Sequence, residues 1–315
     1  MKKVMSKKFE SIDWLEHINN IETIPSIKDA CIRYEKDLVS IISKNRQFKK
    51  PPVLMLSGGV DSMMLGTILK KHFGLKHSIT VACIKDTSDI IQAQESAKML
   101  GISNEVVEVS YDELIQNFPL TYGKDITTTF SLIYYLMFTL GLSKANVKNV
   151  DLVNGDGADT LLGSIGHFMY VDRPHIVEKY KCTDEEANTA IKMRFYERAL
   201  DPTTKKGKGA GHLFVQAAKE HNCNPVMAYK DREVLEWVNR LPYDFANGAR
   251  YPKNKRLHKE FIKYMGYDNP HERTIMQVGT GIYDKMKDYL ITTYKTNSAN
   301  AAVNRIVKTS STLPI

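Results

Sequence analysis

The chain has 315 residues, 43% hydrophobic and 25% charged, the balance of a folded globular protein and not of a disordered one. Its formal net charge is +8 and its pI about 9.0, which favours anionic partners such as nucleotides or nucleic acid. No apolar run reaches the ~18 residues of a membrane span, and no apolar signal region follows the lysines of the first residues, so the chain reads as cytoplasmic with no membrane partner.

Residues 8–50 carry a helical pattern, with Leu38, Ile41 and Ile42 on one face, and Pro51-Pro52 stops it. Val53-Leu54-Met55-Leu56 is a short apolar run of the kind a buried parallel strand shows. Ser57-Gly58-Gly59 breaks it. A second helix is expected from about Asp61, with Leu65, Ile68, Leu69 and Phe73 on one face and Gly74 as its C-cap. Ile79–Ile84 is the next buried-strand candidate, followed by an amphipathic helix over 89–100 that stops at Gly101. Val106–Val109 reads as a third strand, Thr128–Leu140 as a long apolar helix, and Val150–Val153 as a fourth strand.

Strand and helix thus alternate from 53 to 153 with short connections. That predicts an α/β fold: a parallel sheet, right-handed crossovers and helices on both faces. After about residue 165 the strand signals fade and helices are expected at 184–200, 212–221, 231–240, 253–265 and 283–295, a mainly helical C-terminal half. Residues 202–211 read as a polar, Gly-rich loop. The expected organisation is an N-terminal helical segment over 1–50 and a nucleotide-binding core over 51–165. A helical substrate-side region packed on that core follows over 166–295, and then a small, polar tail over 296–315 that is expected to fray.

The strongest chemical feature is Ser57-Gly58-Gly59-Val60-Asp61-Ser62, between a buried strand and an amphipathic helix. Glycines there let backbone N–H groups turn inward as an anion nest, and the following helix aims its positive end at the same place. The serines add donors, and Asp61 is a carboxylate that can share Mg²⁺ with a phosphate. Gly-Lys-Ser/Thr is absent, so this is not a Walker A loop, nor is it a G-x-G-x-x-G dinucleotide fingerprint. The bland alternative is a glycine turn that caps a helix. Elsewhere the signals are thin. Cys31, Cys83, Cys182 and Cys223 are scattered with no C-x-x-C pair, which argues against a zinc ribbon, a disulfide framework or a dithiol redox centre. No G-x-S-x-G elbow and no H-E-x-x-H appear.

SGGVDS resembles the PP-loop of the ATP pyrophosphatases, which have the adenine nucleotide alpha hydrolase-like fold. There the loop cradles the β,γ-pyrophosphate while the α-phosphate is attacked. Asn154-Gly155-Asp156-Gly157-Ala158-Asp159 resembles the Gly-Glu-Gly-Ser-Asp-Glu motif of asparagine synthetases and β-lactam synthetases. The resemblance implies that Leu56, Ser57, Gly58, Gly59, Val60, Asp61 and Ser62 bind ATP and pyrophosphate, with Ile84, Asn154, Gly155 and Lys255 on the same site. It implies a Mg²⁺ ion held by Asp61 and Asp159, and it places Asp156 beside the adenylated carboxylate and the incoming amine.

The match has departures. Thr160 stands where the motif has its final acid, and Asp156 is one methylene shorter than the usual Glu. The family places a catalytic Lys just before a Gln near the C-terminus; here Gln277 and Gly281 align but no Lys precedes the Gln, and Arg273 is the cation in that stretch. Arg273 can stabilise charge in a transition state but cannot shuttle a proton. About 50 residues precede the loop and position 2 is not Cys, so no glutaminase domain is expected in this sequence. The expected activity is an ATP-dependent, AMP- and PPi-forming amide synthetase. It would adenylate a small carboxylate, which ammonia or an amine then attacks, and a partner protein is one source of that amine. The alternatives are a PP-loop enzyme that modifies a nucleobase or tRNA, and a nucleotide-binding regulator without turnover.

Overall fold

The computed structural model describes residues 24–83, 88–158, 161–162, 174, 177–178, 181–184, 211–241, 255–267 and 282–308. In chain order its first elements are α1 (Ile27–Asn45), β1 (Val53–Met55), α2 (Val60–Phe73), β2 (His77–Ala82), α3 (Ser88–Leu100) and β3 (Ser103–Glu108). Then come α4 (Tyr111–Gln116), α5 (Thr129–Lys144), β4 (Asp151–Asn154), α6 (Gly211–Glu220) and β5 (Asn224–Val226). The last are α7 (Arg232–Arg240), α8 (Arg256–Tyr264), α9 (Ile282–Tyr294) and α10 (Ala299–Lys308). They fall into two compact units: 45–154, 210–226 and 269–315 form one, and 1–44, 155–209 and 227–268 the other.

The first unit is the α/β unit. Its five strands lie in the order β3-β2-β1-β4-β5, and every pairing is parallel. β1 is central and all three of its residues are buried, which is why Val53-Leu54-Met55 is apolar without alternation. Side chains alternate across a sheet, and Leu54 pairs with Ser78, so Leu54, Ser78 and Thr80 share one face while Ile79 and Val81 share the other. α2 and α3 cover the first face: a Cβ on Gly66 of α2 would lie 2.6 Å from Leu100 and 3.3 Å from Leu54. α5 covers the second, close enough that a Cβ on Gly141 would lie 2.5 Å from Val81. Helices on both faces follow directly. Gly74 caps α2 in the left-handed conformation, as expected.

Two elements differ from the sequence expectation. β5 adds an edge strand in the half read as helical; it is three residues long and contains Pro225, which has no N–H for a ladder and is tolerated at an edge. The segment expected to fray holds α10, which buries Ala302, Val303 and Ile306. Asn300 on α10 accepts from the Thr129 N–H at 3.0 Å, and the Gly123 N–H donates to the Val307 carbonyl at 3.2 Å. At the N-terminal ends of the strands, the fully buried carboxylate of Asp151 accepts from Arg46 Nε (3.2 Å), the Gln47 N–H (3.0 Å) and Asn224 Nδ2 (2.8 Å).

The second unit is helical in its described part. α1 supplies Tyr34, α7 supplies Trp237 and α8 supplies His258 to a row of stacked rings that ends at Tyr229. Successive ring centroids are 5.4, 5.7 and 5.0 Å apart, and Tyr34 Oη lies 2.9 Å from His258 Nε2. Residues 8–23 and 185–200 of the expected helices lie outside the described residues. Among the described residues no helix is long and apolar enough to cross a membrane.

Candidate functional site

The loop Ser57–Gly59 leaves the C-terminal end of β1 and enters α2, the position where open parallel sheets bind ligands. Gly58 has φ +74, and a Cβ on it would sit 2.6 Å from the Ala93 backbone nitrogen and 2.7 Å from the Gln92 carbonyl carbon. Only glycine satisfies both the left-handed backbone and that contact with α3. Gly59 is different. Its φ is −73, and among the described residues a Cβ there would meet only Ser57 Oγ at 3.5 Å, so the described fold does not require glycine at 59. Among the described residues the missing side chain leaves room above the loop, where a phosphate can approach the backbone.

Gly59 is also the N-cap of α2 and provides no side-chain cap, so the helix terminus carries no internal acceptor from that residue. The two serines divide their work. Ser62 is 3% exposed: it accepts from the Ser57 N–H (3.2 Å) and donates to the Gly59 carbonyl (3.0 Å). Ser57 is exposed, with its Oγ 3.1 Å from Ser62 Oγ and accepting from the Gly59 N–H at 3.4 Å. Ser62 therefore shapes the loop, and Ser57 faces out from it. Asp61 stands in the first turn of α2, half-buried, and Val60 is buried behind it.

The residues beneath the loop are fixed by neighbours that the sequence did not single out. Leu56 donates its N–H to the Ile79 carbonyl (2.9 Å), and its own carbonyl accepts from Thr80 Oγ1 (2.7 Å). Thr80 is a hydroxyl inside an apolar run, which is the one signal that could have marked it. Asn154 ends β4 in register with Met55 and is buried, its Nδ2 3.4 Å from the hydroxyl of Tyr134 on α5. Cys83, just past β2, is buried, and burial pushes its thiol up to about 11, so it is no ready thiolate.

Gly155, Asp156 and Lys255 belong to the helical unit. Asp156 Oδ2 lies 2.9 Å from Lys230 Nζ, an ion pair between residues 74 positions apart that no local pattern announces. Lys255 is 2% exposed and holds a left-handed backbone, φ 65, at the N-cap of α8, a conformation that costs a non-glycine residue about 1–2 kcal/mol. Ile84, Asp159 and Arg273 lie outside the described residues. Among the described residues no group of three or more His, Cys, Asp or Glu forms a metal cluster. Mg²⁺ beside a polyphosphate uses only one or two carboxylates and takes its remaining ligands from phosphate and water, so the carboxylate of Asp61, in the first turn of a helix whose N-cap is a glycine, fits that ion.

The asparagine synthase family profile matches residues 36–199, just over half of the chain. The protein belongs to the asparagine synthase family. The family is one of ATP-using PP-loop synthetase domains, and the Ser57–Ser62 loop lies within the matched residues. Among solved structures, an NH3-dependent NAD synthetase from Campylobacter jejuni subsp. jejuni NCTC 11168, in complex with the nitrate ion, is similar at 16% identity. The match spans 67% of this asparagine synthase-family chain and 94% of that one, with a TM-score of 0.32. No curated protein matches.

Proposed function

We propose that this protein is an ATP-dependent, AMP- and PPi-forming amide synthetase that adenylates a carboxylate and passes the acyl group to ammonia or an amine. The observation that carries the reading is the Ser57–Ser62 loop: a glycine-built turn at the end of a central parallel strand, leading into a helix whose N-cap is a glycine, in a chain of this family. Backbone N–H groups of the loop and the first turn of α2 hold the pyrophosphate, and Ser57 adds its hydroxyl. Asp61 and Asp159 would hold Mg²⁺, which supplies charge neutralisation on the phosphates. Asp156 accepts a proton from the attacking amine, and Arg273 is the proposed cation near the acyl centre. Most of the acceleration is positioning and charge stabilisation, with no protein nucleophile.

The test is ATP–[³²P]PPi exchange with Mg²⁺ against a pool of amino acids and small carboxylic acids. Exchange that depends on one acid is expected, and Asp61→Ala should reduce it by at least about 100-fold with an unchanged melting curve. Full exchange in Asp61→Ala would remove its metal role. The net charge of +8 favours one other reading, a nucleic-acid substrate. Absence of exchange with every acid, together with tRNA binding that weakens steeply with salt, would support that reading instead.

A further inference from the structure

The five strands begin level with one another. Val53 of β1 pairs with His77 of β2, which pairs with Ser103 of β3. On the other side Val53 pairs with Leu152, one residue into β4, and Asp151 pairs with Asn224 of β5. The connections that lead into the strands therefore share one end of the α/β unit, opposite the Ser57–Ser62 loop. With neighbouring strands about 4.8 Å apart, that end is about 19 Å across. Its connections are tied to one another. Lys70 Nζ donates to the Gly101 carbonyl at 3.0 Å, the Ser103 N–H to the Lys76 carbonyl at 3.0 Å, and the Asn149 N–H to the Asn222 carbonyl at 2.9 Å.

Every one of these connections carries an exposed lysine: Lys98 before β3, Lys76 before β2, Lys49 and Lys50 before β1, Lys148 before β4 and Lys219 before β5. Among the described residues none of these ammonium groups has an acidic partner. The nearby acids are engaged by other groups. Glu220 is bound by Lys124 and by Tyr135 Oη, Asp151 is fully buried against Arg46, and Glu105 lies 3.6 Å from His77 Nε2. A level row of cations on a tied edge matches a regular polyanion, whereas a small anion needs donors that converge.

The residues between the lysines select the kind of polyanion. Of the exposed large hydrophobic residues described, only Met99 belongs to these connections, which leaves no apolar centre for a protein partner and no apolar face for a bilayer. No Trp or Tyr occurs in them, and Phe48 and Phe73 are half-buried. Phe73 is flanked by the Arg46 guanidinium at 5.3 Å and the His72 ring at 6.4 Å, so it is no open platform for the bases of a single strand. Gln47, Asn146, Asn149 and Asn222 are exposed among the lysines. The asparagines hold left-handed turns, with φ of 48, 56 and 56, and all of these amides both donate and accept. Phosphate oxygens only accept, but the 2′-hydroxyl of RNA does both.

We infer that this end of the sheet is a docking surface for double-stranded RNA, with the lysines along its phosphates and the amides on its 2′-hydroxyls. The inference is independent of the synthetase reading, because it concerns the end of the sheet away from the loop.

The test uses the full chain and a fluorescein-labelled RNA duplex of about 20 base pairs. Anisotropy between about 50 and 200 mM KCl should give a micromolar affinity that falls steeply with salt. Lys49→Gln/Lys50→Gln/Lys76→Gln/Lys148→Gln should weaken binding by at least about 30-fold at the lowest salt and flatten the slope of log K against log salt by about 3. Lys76→Gln alone should flatten it by about 1, which keeps the test open if the quadruple variant fails to fold. Lys28→Gln/Lys36→Gln/Lys287→Gln/Lys295→Gln removes the same charge elsewhere and should change binding by less than about threefold. ATP–PPi exchange should be the same in the first quadruple variant as in wild type. No binding of the duplex by wild type, equal weakening by the two quadruple sets, or a DNA duplex of the same sequence bound as tightly would overturn the proposal. So would loss of exchange in the first set, which would put these lysines at the nucleotide site. Binding to phosphatidylserine vesicles that the first set abolishes while RNA binding survives would make the surface a lipid contact instead. A wild type without exchange removes the synthetase reading and leaves this one to stand or fall on the RNA result.

Discussion

Gly58 and Gly59 are adjacent and chemically identical, yet the structure asks different things of them. Gly58 meets the backbone of α3 and has positive φ, so Gly58→Ala should destabilise the protein by roughly 3 kcal/mol in a denaturant titration. Gly59 has ordinary dihedrals and open space, so Gly59→Ala should cost under about 1 kcal/mol of stability, the cost of a poorer N-cap. If the loop cradles phosphate, the same Gly59→Ala should weaken ATP binding by about tenfold or more in calorimetry, because its methyl occupies the approach to the backbone. Normal ATP affinity in Gly59→Ala would mean the loop is only a helix cap. The motif was legible because strand, glycines and helix are contiguous in the chain. The division of labour between Ser57 and Ser62 was not, because both are serines and only their different burial separates them.

At the scale of elements, helix starts are set by capping groups with measurable pH dependence. α4 opens with a capping box: Glu113 accepts from the Ser110 N–H at 2.8 Å while Ser110 Oγ accepts from the Glu113 N–H at 3.2 Å. Lys144 at the end of α5 donates to the same carboxylate at 2.8 Å. That lysine first, and then the Ser110 N–H, hold the Glu113 carboxyl down at about 2, against 4.5 for the free group. A carboxyl whose folded value is depressed adds stability above its unfolded value and loses it as pH falls toward the folded value. Glu113→Gln should therefore lower stability by roughly 1 kcal/mol at pH 7, and the gap to wild type should narrow as pH drops below about 4.5. A gap that stays constant from pH 7 to 3 would show that the charge contributes nothing. The sequence-expected helices that precede and follow β1 were visible from apolar periodicity. β5 was not, since three residues with a proline inside carry no period, and its place at the sheet edge comes only from pairing with β4.

Across the whole molecule, burial decides the chemistry of the cysteines. Cys31, Cys83 and Cys223 are buried, and burial raises all three thiols, Cys31 to about 12 and Cys83 to about 11, while Cys182 is half-exposed. A thiol-disulfide reagent should label one of the four thiols quickly in native protein at pH 7.5 and all four in denaturant, and reductant should leave the melting temperature unchanged. Rapid labelling of two or more native thiols would mean that one of the packed units opens readily. By itself the sequence determined the parallel α/β core and the position of the Ser57–Ser62 loop, because hydrophobic period, strand-ending glycines and helix starts are local properties of neighbouring residues. It also determined the family, through two short motifs at strand ends. Only the tertiary structure decided which neighbours hold those motifs in place: Thr80 under Leu56, Tyr134 beside Asn154, and Lys230 on Asp156. Those contacts join residues 20 to 74 positions apart, and nothing in a local pattern encodes a pairing that exists only once the chain has folded.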